Sequence, residues 1–304
     1  MTIKYIPPHL KNKNKNKSKV YEGGGYFPTL KLATDYQNRI KTHIYHKDRF
    51  NCINFLIQKI KKKKKLDILD FGCGDGLYFK KFNLLTKNYT GIDVSPHRIE
   101  LTKKNLVNIK NKNLIVGGID KLKKIKSNSI DLFIASNVIG YLTDKEENIF
   151  FKEVHRILKK NCFFITMNGN ELFDLFALND YTKIFFKKYF NQKENHMNLL
   201  LKNSTSNKYV LAKRFNPLAL EEKLKIKYDL TTLEISFGSL HKYSPEIGKI
   251  LHKGKKSKNK YYTDFRYQQL LSRDFSKNPN KLSVLEKWKC LFLCSLFGML
   301  VQKK

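Results

Sequence analysis

Two patterns of apolar positions alternate along the chain. Short apolar runs predict buried strands, and between several of them apolar residues recur at every third or fourth position, which predicts amphipathic helices. Strands that alternate with helices are typical of an α/β fold with a mainly parallel, doubly wound sheet. The predicted strands are Leu66–Phe71, Tyr89–Asp93, Leu114–Gly117, Ser129–Ser136, Cys162–Met167, Leu230–Phe237 and Leu291–Gln302.

Local signals for helix ends agree with this alternation. Residues 36–60 have helical spacing and predict one or two helices. Asn161, just before the fifth strand, is expected to take the left-handed conformation at the end of a helix. Helix starts are predicted by an N-cap residue before proline, or by a capping box, at three places: Ser95-Pro96, Thr143 with Glu146, and Asn216-Pro217.

The chain of 304 residues is 41% apolar, which is enough to build a full core. We expect one large domain, residues 49–304, with aromatic insertions at about 169–214 and 239–286. Residues 1–48 are expected to be a basic, disordered tail and an N-terminal flap, because residues 1–20 are polar and repetitive. Tyr21–Pro28, with three glycines among aromatic residues, is the flap; a flexible linker is the alternative.

The formal charge of +34 would suit nucleic acid or an anionic membrane surface. However, 53 of the 60 basic residues are lysine and only seven are arginine. Lysine, like asparagine and isoleucine, has A/T-rich codons, and proteins that read phosphates usually employ more arginine. We therefore interpret the charge as mainly compositional, so a nucleic-acid partner is not favoured.

The five cysteines contain no Cys-x-x-Cys pair and no cluster with histidine. Disulfides and a metal site are therefore not expected. No apolar run is long enough to cross a membrane as a helix, since the longest extends only from Cys290 to Val301. A reducing cytoplasmic location is the expectation.

The first strand leads directly into three glycines at alternate positions, Gly72, Gly74 and Gly76. A strand, a glycine-rich turn and a helix together let a nucleotide approach the backbone. A dinucleotide turn would need its third glycine where Leu77 stands, and would hold a pyrophosphate at the helix N-terminus. Asp70 and Asp75 would repel a pyrophosphate but attract a cofactor that carries an ammonium and a sulfonium.

Asp70 with the three glycines forms the pattern acidic-x-Gly-x-Gly-x-Gly, and in this the chain resembles the class I S-adenosylmethionine (SAM) dependent methyltransferases of the ubiquinone O-methyltransferase type. The resemblance covers about residues 49–168 and the last two strands. It implies SAM as cofactor, with Asp70, Gly72 and Gly74 binding it. It also implies a Rossmann-like seven-stranded sheet in the order 3-2-1-4-5-7-6, whose last strand is antiparallel.

Three further residues are candidates for binding the cofactor. Asp93 ends the second strand, 21 residues after Gly72, where a carboxylate can reach the ribose hydroxyls; an ordinary carboxylate at a helix start is the alternative. The resemblance implies that Arg49 holds the methionine carboxylate and that Asn137 lines the pocket. A surface arginine and a turn-forming asparagine are the respective alternatives.

The chain departs from the family pattern after the third strand. Gly118 stands where the family often has an acidic residue for the adenine amino group, and Asp120 follows two positions later. After the fourth strand, residues 137–141 lack the two prolines that enzymes methylating amino groups of nucleic acids usually have.

These features predict a methyltransferase that acts on a hydroxyl oxygen of a small-molecule, sugar or lipid acceptor. The alternatives are an RNA methyltransferase, or a non-catalytic module that binds RNA or an anionic membrane. His241, which follows the sixth strand, is our candidate for the general base, because its pKa range suits that role. His43 and His46 are the rivals, whereas His155 is expected to lie in a packing helix.

Overall fold

The structure is a computed structural model. It describes residues 29–31, 33–34, 44–60, 65–82, 86–174, 180–190, 212–238, 291–292 and 294–304. The tail, the flap, His43 and His241, and most of both predicted insertions lie outside the described residues.

One seven-stranded sheet organises the chain, in the order β3-β2-β1-β4-β5-β7-β6. Neighbouring strands are parallel from β3 to β5, and β7 is antiparallel to both β5 and β6. The predicted Rossmann-like fold and strand order are therefore confirmed. The strands are β1 (Leu66–Phe71), β2 (Thr86–Asp93), β3 (Lys112–Val116), β4 (Ile130–Ser136), β5 (Leu158–Gly169), β6 (Leu230–Gly238) and β7 (Leu296–Lys303).

The helices connect these strands and cover the sheet. Two short 3-10 helices, Ile119–Lys124 and Ile139–Tyr141, follow β3 and β4. The six α-helices with defined bounds are α1 (Ile44–Gln58), α2 (Leu77–Lys81), α3 (Pro96–Asn105), α4 (Asp144–Ile157), α5 (Asp180–Phe190) and α6 (Pro217–Tyr228).

The predicted caps start three of these helices. Thr143 and Glu146 form the capping box of α4, each side chain accepting the backbone N–H of the other. The Ser95 hydroxyl accepts the Arg98 N–H in α3, and the Asn216 carboxamide accepts two N–H groups of α6. These bonds satisfy amide groups that have no partner inside the helix, so the sequence fixes where each helix begins.

Both faces of the sheet are buried. Alternate residues of a strand point to opposite faces, so Leu69 and Phe133 pack with α4 on one face, through Phe150. Ile68, one position before Leu69, packs on the other face with Leu56 of α1. Because helices cover both faces, residues 162–167 of β5 and 296–301 of β7 read as nearly continuous apolar runs in the sequence.

Several boundaries differ from the sequence prediction: β2 starts at Thr86, β3 at Lys112 and β5 at Leu158, each a few residues earlier than predicted. Two further differences have a physical explanation. Asn161 has the predicted positive φ of 59°, but α4 has already ended at Ile157, and Asn161 lies inside β5 instead. The last strand starts at Leu296 and not at Leu291, which is helical. Apolar residues in a helical turn and in a buried strand look alike over so short a segment, which explains the second error. Within the described residues, no helix is long and apolar enough to cross a membrane.

Candidate functional site

A cavity opens at the carboxyl ends of β1, β2 and β4, the edge where open α/β sheets bind their ligands. Its walls bring together residues that are far apart in the sequence. The polar and glycine residues lining it are Arg49, Asp70, Gly72, Asp75, Asp93, Arg98, Gly117, Ser136 and Asn137, and Tyr78 and Tyr141 are among its aromatic residues.

The glycine turn after β1 forms the floor of the cavity. Gly72 has φ of +72°, and a Cβ there would lie 2.8 Å from the side chain of Val138. Gly74 has φ of +62°, and a Cβ there would collide with the guanidinium of Arg98. Both positions therefore favour glycine for their conformation, and Gly72 also for space, whereas the flexible Arg98 side chain at Gly74 could move aside. Gly74 does not itself line the cavity, but its backbone positions a residue that does.

That residue is Asp93, at the end of β2. Its Oδ2 accepts the N–H of Gly74 and its Oδ1 accepts the N–H of Ser95, both at 2.9 Å. Burial raises the pKa of Asp93, while Arg98 and the two N–H groups lower it. The carboxylate is thus held in a fixed orientation by the turn on one side and by the start of α3 on the other.

Asp70 lies beside Asp93 and is also buried. The Tyr89 hydroxyl donates a hydrogen bond to Asp70 Oδ2 at 3.1 Å. Burial, with a contribution from the Asp93 carboxylate, raises the pKa of Asp70 to about 7, although the Tyr89 hydroxyl and Arg98 lower it. Near neutral pH this carboxyl group is therefore balanced between its two protonation states, and a cation in the cavity would favour the ionised one.

Asp75 completes a group of three carboxylates around the cavity. It is 3% exposed, and its Oδ1 accepts the N–H of Leu77 at 3.1 Å. Its Oδ2 has no hydrogen-bond partner among the described residues. A buried carboxylate oxygen of this kind needs a donor, and a ligand with an ammonium or a hydroxyl group would supply it.

Two arginines balance these carboxylates. Arg49, which lies inside α1, is buried. Its Nη2 donates to Ser136 Oγ at 3.2 Å, and its guanidinium lies 5.2 Å from the Tyr78 ring centre. Arg98 in the first turn of α3 lies over Gly74. The cavity thus offers acceptors for a cationic ligand group and a guanidinium for an anionic one.

Asn137 lies where this cavity meets a second one. It has a positive φ of 55°, and its N–H donates to the Met167 carbonyl at 2.8 Å. Asn137 and Tyr141 line both cavities. A ligand in the first cavity and a ligand in the second would therefore meet at these two residues.

Sequence reasoning did not select Arg98, Ser136 or Tyr141. Arg98 could have been found, because the N-terminal turn of α3 follows Asp93 directly and must lie at the same edge. Asp120 does not line the cavity: it is exposed, and it bonds to the Gly118 N–H and to Lys121. His155 lies in α4, as expected, and burial lowers its pKa.

Comparisons with known proteins agree with this fold and this edge. Two solved structures share the architecture. One is a methyltransferase complex from Haloferax volcanii, which is 11% identical with a TM-score of 0.51 and covers 88% of this chain and 94% of that one. The other is a Listeria monocytogenes protein that is described as a methyltransferase; it is 12% identical with a TM-score of 0.50 and covers 84% of this chain and 98% of that one. The class that the fold defines is therefore the Rossmann-like α/β proteins.

Residues 69–166 match the family model of the methyltransferase domain, and this stretch contains the glycine turn and Asp93. The ubiquinone biosynthesis O-methyltransferase of Pelagibacter ubique is 32% identical over 124 residues, which are 39% of this chain. The chain carries a class I SAM-dependent methyltransferase domain, and the cofactor of that domain is SAM. It spans about half, 49%, of the Pelagibacter relative.

The cavity suits SAM chemically. SAM has an ammonium, a sulfonium and ribose hydroxyls, which can each interact with a carboxylate, and one carboxylate, which a guanidinium can hold. The unpartnered oxygen of Asp75 and the buried Asp70 and Asp93 supply the first kind of group. Arg49 and Arg98 supply the second.

Proposed function

We propose that the protein is a SAM-dependent methyltransferase that methylates a hydroxyl oxygen of a small-molecule, sugar or lipid acceptor. The observation that carries the proposal is the group of three buried carboxylates and two guanidiniums around a glycine turn. The choice of oxygen is supported by the relative from Pelagibacter ubique, whose name describes an O-methyltransferase.

The residue roles in this proposal follow from charge and position. Asp93 accepts hydrogen bonds from the ribose hydroxyls, since each of its oxygens has a lone pair beyond those used by the backbone. Asp70 and Asp75 face the ammonium and the sulfonium, and Arg49 binds the cofactor carboxylate. Gly72 and Gly74 keep the turn close to the cofactor, and Asn137 lines the cofactor cavity where it meets the second one.

The chemistry required of the chain is alignment and removal of one proton. Bound SAM supplies a methyl group that its sulfonium already activates. The protein must hold the acceptor oxygen in line with the methyl and the sulfur, and a base must take the hydroxyl proton. We keep His241 as the candidate base, with His43 and His46 as rivals.

The cofactor site can be tested by Asp93→Ala. The variant loses charged acceptors for two ribose hydroxyls, worth about 1.5 to 3 kcal/mol each, so SAM affinity should fall tens-fold or more. Isothermal calorimetry with SAM and with S-adenosylhomocysteine measures this. Glu100→Ala is the matched control, because Glu100 is an exposed acid of α3 that pairs with Lys104. Unchanged binding in Asp93→Ala would refute the assignment.

The base can be tested once labelled SAM and a cell extract have given an acceptor. His241→Ala should lower turnover by about a hundredfold or more and leave SAM affinity unchanged, because a general base acts only on the chemical step. Mass spectrometry of the product identifies the methylated atom. Turnover near wild type contradicts the role of His241, and a new methyl on nitrogen or carbon contradicts O-methylation.

A further inference from the structure

The second cavity, beside the cofactor cavity, lies at the carboxyl end of β5. A strand-like segment covers it: the Lys213 N–H donates to the Gly140 carbonyl at 2.8 Å, and the Phe215 N–H to the Gly169 carbonyl at 3.0 Å. Besides Asn137 and Tyr141, which also line the cofactor cavity, the polar side chains lining it are Asn168, Tyr181, Lys213 and Arg214.

Arg214 is fixed in place on most of its donor groups. Its Nε lies 2.9 Å from Asp174 Oδ1, and Nε and Nη2 donate to the Asn170 carbonyl at 3.3 and 3.1 Å. Nη2 also donates to the Ser295 carbonyl at 3.2 Å. The guanidinium stacks on the Tyr181 ring, 4.6 Å from its centre. These contacts leave the group little freedom to turn, so any remaining donor has a fixed direction.

The remaining donor is Nη1. It makes no hydrogen bond to any of the described residues, although the side chain is only 16% exposed. A Cβ on Gly169 would lie 3.0 Å from Nη1, and Gly169 lines the same cavity. The absence of a side chain at residue 169 therefore leaves Nη1 open toward the cavity.

Asn168, on the preceding position of β5, is a second buried group with an unused polar atom. It is 2% exposed, and its Nδ2 donates to Thr166 Oγ1 at 3.0 Å. Its Oδ1 has no partner among the described residues. A buried acceptor without a donor costs free energy, and a hydroxyl or an amine of a ligand in this cavity would provide the donor.

We propose that this second cavity binds the methyl acceptor, and that the acceptor carries a carboxylate, held by Arg214 Nη1, and a donor group that bonds to Asn168 Oδ1. The inference rests on the proposed function, because it takes the ligand of this cavity to be the acceptor. It narrows the small-molecule, sugar or lipid class to anionic acceptors.

The charges around Arg214 favour a single negative charge. Asp174 already pairs with the guanidinium, and Asp144 and Glu147 both pair with Lys213, so three carboxylates already balance the two cations that a phosphate dianion would need. Burial raises the pKa of Asp174 to about 7, while Arg214 lowers it. Near neutral pH part of the Asp174 population is protonated, and the guanidinium then keeps a net charge for a carboxylate ligand.

The test uses matched pairs of small hydroxy acids and their amides: 4-hydroxyphenylacetate and its amide, and 3-hydroxybutyrate and its amide. Binding to the full chain is measured by calorimetry with saturating S-adenosylhomocysteine. The wild type should bind at least one acid ten-fold or more tightly than its amide. If neither acid outbinds its amide, the proposal is overturned; if inorganic phosphate binds more tightly than both acids, the assignment to carboxylate is overturned.

Two variants test whether Arg214 causes the preference for acids over amides. Arg214→Gln removes the charge, but also removes bonds that fix the segment. Gly169→Ala keeps the charge of Arg214 and places a methyl group 3.0 Å from Nη1, so the guanidinium must yield slightly, at a position whose φ does not require glycine. Both should lose the preference for acid over amide. Arg156→Gln is the control, because Arg156 is also held by a carboxylate and a backbone carbonyl, in the last turn of α4.

An acid preference that survives in Gly169→Ala and Arg214→Gln overturns the role of Arg214. Failure of the proposed function has a different signature: the wild type would then not bind S-adenosylhomocysteine. The acid and amide pairs can still be compared in that case, without the cofactor product, so the two failures are distinguishable.

Discussion

At the scale of single residues, the ionised Asp70 side chain lowers the stability of the folded protein near neutral pH, and we propose that it also binds the cofactor. Its neighbours include the carboxylate of Asp93, and burial raises its pKa from 3.8 to about 7. Because the folded state holds this proton more tightly than the unfolded chain, the stabilisation is complete below about pH 4 and is lost as pH rises through about 7. A cationic ligand reverses this cost by favouring the ionised carboxylate.

Asp70→Asn should therefore separate stability from cofactor binding. The variant removes the ionisation, so its melting temperature relative to the wild type should rise between pH 5 and pH 8. In the wild type SAM affinity should increase as pH rises through about 7, whereas in Asp70→Asn it should be lower and nearly independent of pH in this range. Thermal denaturation and calorimetry at a series of pH values measure both.

Tyr89→Phe provides the matched control for that experiment. The Tyr89 hydroxyl donates to Asp70 and favours its ionised form, so the variant should move the midpoint of the affinity curve to higher pH. Equal pH dependence of SAM affinity in the wild type and Asp70→Asn would contradict the assignment to Asp70.

At the scale of elements, the site depends on where strands end. Asp70 and Asp93 are on neighbouring parallel strands paired in register, so the end of β1 and the end of β2 place both carboxylates at one edge. The N-cap of α3 then turns the chain so that Arg98 lies over the glycine turn. Helix α1 adds Arg49 from the other side of the cavity. Each element supplies one or two groups, and their convergence produces the site.

At the scale of the whole molecule, the positive charge is spread over both faces. Exposed lysines occur on α3 and on the loop after it, which pack on one face, and on α4 and α6, which pack on the other. A surface that reads a nucleic acid concentrates its charge on one side, usually with arginine. The distribution among the described residues therefore agrees with a charge that is mainly compositional.

We predict accordingly that RNA binding is weak and steeply salt-dependent. Fluorescence anisotropy with a single-stranded RNA between 50 and 200 mM salt should show a large loss of affinity, with a slope of about −0.7 per phosphate contacted. Two triple alanine variants should weaken binding by similar amounts, since no one face is the site: Lys103, Lys104 and Lys110, or Lys152, Lys225 and Lys227. Tight binding of a defined RNA at physiological salt, with methyl transfer to it, contradicts this prediction.

Much of this protein follows from its sequence because the relevant information is local. The apolar runs, the caps at Ser95 and Thr143, and the glycines after β1 each act within a few residues, and right-handed connection of parallel strands then limits the topology. Asp93 could be selected from its spacing to the glycine turn, whereas Asp70 and Arg49 were selected through the resemblance to the methyltransferase family. The boundary of β7 was lost because helical and strand signals overlap in a short apolar segment.

Only the tertiary structure decided which distant residues share a cavity. Arg98 lies over Gly74, Arg214 is fixed between Asp174 and Tyr181, and Asn168 keeps an unused oxygen next to Gly169. None of these relations has a spacing rule, because they arise where separate elements pack against each other. The pKa of Asp70 likewise depends on burial and on Tyr89, so it exists only in the folded chain. The sequence determined the fold and the glycine turn; packing decided the second cavity, where we propose that the acceptor binds.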